Sequence, residues 1–262
     1  MNIDLIIFFN VSKHVNNIPI LLELYKPYFK NIYFYASTPV VECNHEVHFI
    51  NDISCQGFFG YSCIQHFLSS KKNNDTDGFV YLHDDVLLNI KYLQNLDLTN
   101  LIYFSEIARF SGNHKSYKSL DHWDKEWWGK WNLPSGKSAC KNLLNDINNQ
   151  LFCDNDFIAN MADFFYLPYK LVNQNFVSSI DLFAKNQVHL EIALPTIFRK
   201  FFINLPIQNY HSVPNGRQSD NKIDNIDYEV FKRDFFAKNL YYHPVKLSNP
   251  IIKEYAKKLL SQ

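Results

Sequence analysis

The chain has 262 residues, 47% hydrophobic and 16% aromatic, which is enough to fill the core of one large α/β domain or two small ones and excludes a disordered protein. Its 26 Lys and Arg balance 26 Asp and Glu, so no overall field draws it to nucleic acid or an anionic membrane, and any polyanion contact must be local. The cysteines at 43, 55, 63, 140 and 153 are odd in number and form no Cys-x-x-Cys pair, which fits reduced thiols better than a disulfide framework or a zinc site.

The first hundred residues alternate short apolar runs with helical patterns. Ile3 to Phe9 reads as a strand, residues 16–29 as a helix, 32–35 and 47–50 as strands, 60–69 as a helix and 78–82 as a fourth strand. That alternation implies a largely parallel sheet with right-handed crossovers, in which ligands bind at the carboxyl ends of the strands. The apolar stretch of the first strand is far shorter than a membrane span or a signal-peptide core, and no other stretch approaches span length. Together with Met1 this gives the expectation of a soluble, cytoplasmic protein with no integral membrane segment, whose Asn10-Val11-Ser12 and Asn74-Asp75-Thr76 sequons go unused.

The strand at 78–82 runs into His83-Asp84-Asp85. Adjacent acids at a sheet edge are costly to bury unless a cation or hydrogen-bond donors neutralise them. A Mg²⁺ or Mn²⁺ ion carrying a diphosphate would do so, since hard cations share their coordination among carboxylates, phosphates and water. A polar turn whose side chains cap backbone amides is the alternative.

After a strand near Leu101 the character changes. All four tryptophans fall between Trp123 and Trp131, in a polar and aromatic segment. Trp123 and Trp127 suit stacking on an acceptor sugar; anchoring of a loop to the core is the other use of such residues. Residues 162–168 read as a strand ending at Pro168, and 188–198 as a helix with Glu191 in its first turn, where the macrodipole alone would favour an acid. The turn-rich segment 209–217 brings His211 and Arg217 together, and residues 227–262 read as terminal helices packed on the domain. Gly136-Lys137-Ser138 lacks the upstream glycine spacing of a phosphate loop, and the chain has no Gly-x-Gly-x-x-Gly, Gly-x-Ser-x-Gly or His-Glu-x-x-His.

Tyr81-Leu82-His83-Asp84-Asp85-Val86-Leu87 resembles the Asp-x-Asp motif of GT-A-fold nucleotide-sugar glycosyltransferases, and Leu190-Glu191-Ile192-Ala193-Leu194 resembles a segment of the exostosin-like transferases; the triplet is also similar to that of STELLO-type proteins. The resemblance covers residues 1–215. It implies a GT-A, Rossmann-like, mostly parallel twisted sheet flanked by helices. The corresponding domain would span 1–226, with a nucleotide-binding half at 1–100 and an acceptor and catalytic half at 101–226, followed by a helical extension at 227–262. It implies a UDP-linked nucleotide-sugar donor, such as UDP-xylose, UDP-glucose or UDP-N-acetylhexosamine, and a glycan or glycoside acceptor.

 The donor expected from it is UDP-linked. Carried over by residue, Asp85 would ligate a Mn²⁺ or Mg²⁺ ion bridging the diphosphate, with His211 completing the metal site. Asp84 would bind the donor, Arg217 would neutralise the leaving diphosphate and Glu191 would serve the reacting sugar; beside the resemblance, Asn10 and Asn51, at the ends of the first and third strands, are read as nucleotide-binding and Trp123 and Trp127 as acceptor-binding. His83 stands where the family has an aspartate, which puts the strength of the metal site in question. A sugar-phosphate nucleotidyltransferase and a non-catalytic carbohydrate-binding protein are the rival readings; the first lacks a glycine-rich loop after the opening strand, where Val11-Ser12-Lys13-His14 stands.

Overall fold

The computed structural model describes residues 1–10, 12–37, 39, 43–50, 60–70, 75–103, 134–153, 156–158, 162–202, 211–214, 228–236, 239–243 and 245–260. Its main sheet is built from β1 (Ile3–Phe9), β2 (Asn31–Ala36), β3 (Val47–Phe49), β4 (Gly78–His83), β6 (Ile102–Tyr103) and β7 (Phe164–Pro168), in the order β3-β2-β1-β4-β7-β6. Strands β1 to β4 are parallel, while β7 runs antiparallel to both β4 and β6. This is the mostly parallel, helix-flanked α/β sheet that the alternating pattern predicts, and it is consistent with the GT-A arrangement. The reversed β7 was not legible, because a strand buried on both faces carries the same apolar run in either direction.

β1 and β4 are buried along their whole length because helices cover both faces. Ile3, Leu5, Ile7 and Phe9 alternate into a core shared with α1 (Ile18–Tyr25), α7 (Tyr228–Phe236) and α8 (Pro250–Leu260). Ile6 and Phe8 face the opposite core, filled by α2 (Tyr61–Ser70), α4 (Ala139–Asn145), α5 (Gln174–Lys185) and α6 (Leu190–Phe202). The helix read over residues 16–29 is shorter: a 3₁₀ turn at Ser12–Asn17 precedes α1, and Pro27 follows its end.

A second, three-stranded sheet has the order β5-β9-β8, from β5 (Leu87–Leu88), β9 (Asn239–His243) and β8 (His211–Pro214). The tail is therefore not purely helical, as its composition suggests, since β9 lies between α7 and α8 and pairs antiparallel with β5 just beyond Asp85. Tyr25 pins this junction: its buried hydroxyl donates to the Val86 carbonyl at 3.3 Å and accepts from the Leu88 amide at 3.1 Å. The short helix α3 (Ile90–Gln94) then starts at Asn89, whose side chain accepts from the Tyr92 amide.

At the foot of the sheet, Asp4 is fully buried and accepts from Asn31 Nδ2 at 2.8 Å, Thr76 Oγ1 at 2.9 Å and the Tyr169 hydroxyl at 3.1 Å. Beside it, Gly78 leaves room for the antiparallel neighbour: a Cβ there would meet the Leu167 carbonyl oxygen at 2.5 Å and the Pro168 Cα at 2.8 Å. Both are backbone atoms that cannot rotate away. Gly78→Ala should therefore cost about 1–3 kcal/mol of stability, read as a lower urea midpoint with an unchanged slope.

Candidate active site

The strand order reverses between β1 and β4, so their carboxyl ends flank the crevice in which open α/β sheets hold ligands. Asp84 and Asp85 follow β4 at this point, as the sequence reading has it. Backbone bonds fix their turn: the Asp84 amide donates to the Phe8 carbonyl at 3.1 Å, the Val86 amide to the His83 carbonyl at 3.1 Å, and the Val245 amide to the Asp85 carbonyl at 2.7 Å.

Each acid meets a cationic or titratable side chain. Asp84, 4% exposed, places Oδ2 2.8 Å from Nδ1 of His14, which reaches across from the 3₁₀ turn after β1. Asp85 places Oδ1 3.4 Å from His243 Nε2 and Oδ2 3.3 Å from Lys246 Nζ. His243 ends β9, and Lys246 lies three residues farther on. A third acid, Asp163, immediately precedes β7; its Oδ1 is 3.0 Å from His83 Nδ1 and its Oδ2 3.9 Å from His243 Nδ1.

His83 is buried in the floor between the Phe8 and Tyr81 rings, whose centroids lie 5.8 and 5.5 Å from its own. Its Nε2 is 2.8 Å from the Tyr81 hydroxyl, and its Nδ1 is 3.2 Å from Asn10 Nδ2. A ring nitrogen that donates to Asp163 has no lone pair left for an amide N–H. Asn10 Oδ1, meanwhile, is buried without a hydrogen-bond partner among the described residues.

The charges reinforce one another. Burial pushes the His243 imidazolium down, but the charges of Asp163 and Asp85 outweigh it and raise its pKa to about 9. Burial likewise opposes the charged form of His83, and the hydrogen bond and charge of Asp163 carry it above the ordinary histidine value. For Asp85 burial is the largest single influence and acts upward, yet His243 and His83 together bring the carboxyl below its usual range.

Of the residues predicted from sequence, Asn10, Asp84 and Asp85 come together here. Glu191 sits in the first turn of α6, as read, with its amide donating to Nδ1 of the buried His189 at 3.2 Å. Pro195 lies inside that helix and has no amide hydrogen to offer the Glu191 carbonyl. The start of α6 adjoins the site floor: a Cβ added at Gly60 would touch both the Tyr81 hydroxyl and Leu190. The backbone of His211 is paired with Asn239, at the opposite end of β9 from His243. Asn51, Trp123, Trp127 and Arg217 lie outside the described residues. Sequence reasoning missed His14, Asp163, His243 and Lys246. The available signal was an acid directly before an apolar strand, for Asp163, and His and Lys three apart in a short aromatic run, for the tail pair.

Among the described residues, no group of three or more His, Cys, Asp and Glu side chains could by itself hold a metal. Asp85 and, once it gives up its proton, His243 fit a cation that takes its remaining ligands from phosphate and water. Asp85 Oδ1 is buried with no hydrogen-bond partner among the described residues. Its 3.4 Å separation from His243 Nε2 is close to the roughly 3 Å between two ligands of one ion.

No protein-family model matches the chain, and neither does any curated protein. Among solved structures the chain is similar to an active-site mutant of LgtC, at 12% sequence identity and a TM-score of 0.45, over 98% of this chain and 95% of that one. A likeness of that size assigns no chemistry to the residues described above.

The raised pKa of His243 has a consequence for stability. The folded protein keeps this proton up to about pH 9, whereas the unfolded chain loses it near 6.5. The stabilisation is complete below about pH 6.5 and lost as pH rises through about 9. The melting temperature should fall over that interval, and His243→Gln should flatten the fall; an unchanged profile in the variant would contradict the assignment.

Proposed function

We propose that the chain is a glycosyltransferase that takes its sugar from a nucleotide-sugar donor, UDP-linked, and passes it to a glycan or glycoside hydroxyl with the help of Mn²⁺ or Mg²⁺. The observation that carries this reading is the meeting of Asp85 with His243 and Lys246 at the β1/β4 switch point, at distances of 3.4 and 3.3 Å. A carboxylate held by exchangeable cations at that position suits a ligand that is itself a polyanion, and a diphosphate can take up the same cations.

In this reading Lys246 and His243 face the diphosphate and offset the charge that builds on it as the glycosidic bond to phosphate breaks. Asp85 would hold the divalent ion, which would supply further neutralisation of the leaving group, and His243 would join it only on giving up its proton. Asn10 and His14, on the segment after β1, line the nucleoside side of the crevice, and Asp84 fixes the His14 ring. Glu191 is the carboxylate proposed for the reacting sugar, because the start of its helix abuts Tyr81 and through it His83. Asn51 and Arg217 for the donor, and Trp123 and Trp127 for the acceptor, complete the proposal from sequence.

Binding of a donor to the folded state stabilises it by about 2.7 kcal/mol at a ligand concentration 100 times the dissociation constant. A melting screen of UDP- and GDP-sugars with and without Mn²⁺ should show a shift of several degrees with one UDP-sugar, enlarged by Mn²⁺. Asp85→Ala should remove the Mn²⁺-dependent part and abolish slow hydrolysis of that donor. No shift with any nucleotide sugar would sink the proposal.

A further inference from the structure

The two adjacent acids of the crevice turn to different neighbours. Asp85 faces His243 and Lys246 of the tail, while Asp84 Oδ2 meets His14 Nδ1 at 2.8 Å on the β1 side. Backbone and core hold both ends of the second contact. The Asp84 amide donates to the Phe8 carbonyl, and the Ser37 amide and hydroxyl donate to the carbonyls of Phe9 and Asn10 at 3.3 Å each. Val15, next to His14, and Ile18, at the start of α1, are buried in the core beneath, so the 3₁₀ turn is seated against the end of β1.

An ionised carboxylate only accepts, so His14 Nδ1 gives its hydrogen to Asp84 and Nε2 is left to meet another group. Nε2 has no hydrogen-bond partner among the described residues, and the His14 side chain keeps 17% of its surface exposed against 5% for Asp84. Asp84 is spent on the ring beside it. On this side of the crevice the polar group offered to a ligand is the imidazole.

We propose that His14 Nε2 is the hydrogen-bond partner of a ribose hydroxyl of the donor, and that this contact makes the site select nucleotides that carry ribose hydroxyls over those that lack them. A hydroxyl suits the position because it gives a hydrogen to a bare ring nitrogen and accepts one from a nitrogen that bears it, so the contact forms in either state of the ring. A phosphate oxygen could only accept. The placement follows from the rest of the site. The diphosphate faces Lys246 on the tail side of Asp85, and Glu191, the carboxylate proposed for the reacting sugar, stands on α6, in the core opposite that of α1. The β1 side is left for the nucleoside. Asp84 is then a positioning residue that acts through His14. The inference rests on the proposed function in taking the ligand to be a UDP-linked nucleotide.

Titration calorimetry of the full chain with UDP and with 2′,3′-dideoxy-UDP, in the presence of Mn²⁺, tests it. The wild type should bind UDP about tenfold more tightly than the dideoxy analogue, the size of one well-made hydrogen bond. His14→Asn keeps an N–H for Asp84 and removes the group at Nε2, so it should fold and bring UDP down to the affinity of the analogue while leaving that of the analogue unchanged. His14→Ala should do the same to the preference. A wild type without the preference, or a folded His14→Asn that keeps it, would overturn the proposal. Equal losses for both ligands would set His14 against the phosphates or reduce it to a structural role, and overturn it too. A wild type that binds neither ligand would sink the nucleotide reading itself and this inference with it.

Discussion

An aspartate taken out of water has to find positive charge or donors nearby, and Asp84, Asp85 and Asp163 are gathered where two parallel strands end. Any one of them left bare would oppose folding. The fold answers with basic side chains brought from three directions: His14 from the turn after β1, His83 from within β4, and His243 with Lys246 from the tail. Asp85 and Asp163 each face two of these groups, and both share His243. The arrangement of the crevice follows from this mutual dependence more than from any one contact.

That dependence explains why the second sheet exists. Sheet pairing of β9 with β5 places the end of β9 beside the turn that carries Asp85, and the Val245 amide bonds the Asp85 carbonyl itself. The backbone thus sets the approach of the tail before the side chains meet. A tail packed only by helices would leave the spacing between His243 and Asp85 to the fit of apolar surfaces, which tolerate sliding far better than a strand ladder does.

The parts of this design that could be read from sequence are those with a local signature. β1 and β4 announce themselves as apolar runs of strand length, and Asp84 and Asp85 stand out because they interrupt one. The partners of those acids have no such signature. His14 lies in a short polar turn, Asp163 is a lone acid before a strand, and His243 and Lys246 are 158 and 161 residues away from Asp85 along the chain. Only tertiary structure brings them together. The direction of β7 was equally hidden, since burial on both faces erases the alternation that a half-exposed strand would display. The short strand β9 was hidden by its length, five residues between two amphipathic helices.

The separation of 161 residues between Asp85 and Lys246 also has a meaning in time. A ribosome makes the acids first, and the strands that surround them can pair while the tail is still unmade. Through that interval Asp85 lacks both of its partners and stays hydrated. Closure of that side of the crevice therefore waits for β9 to be made.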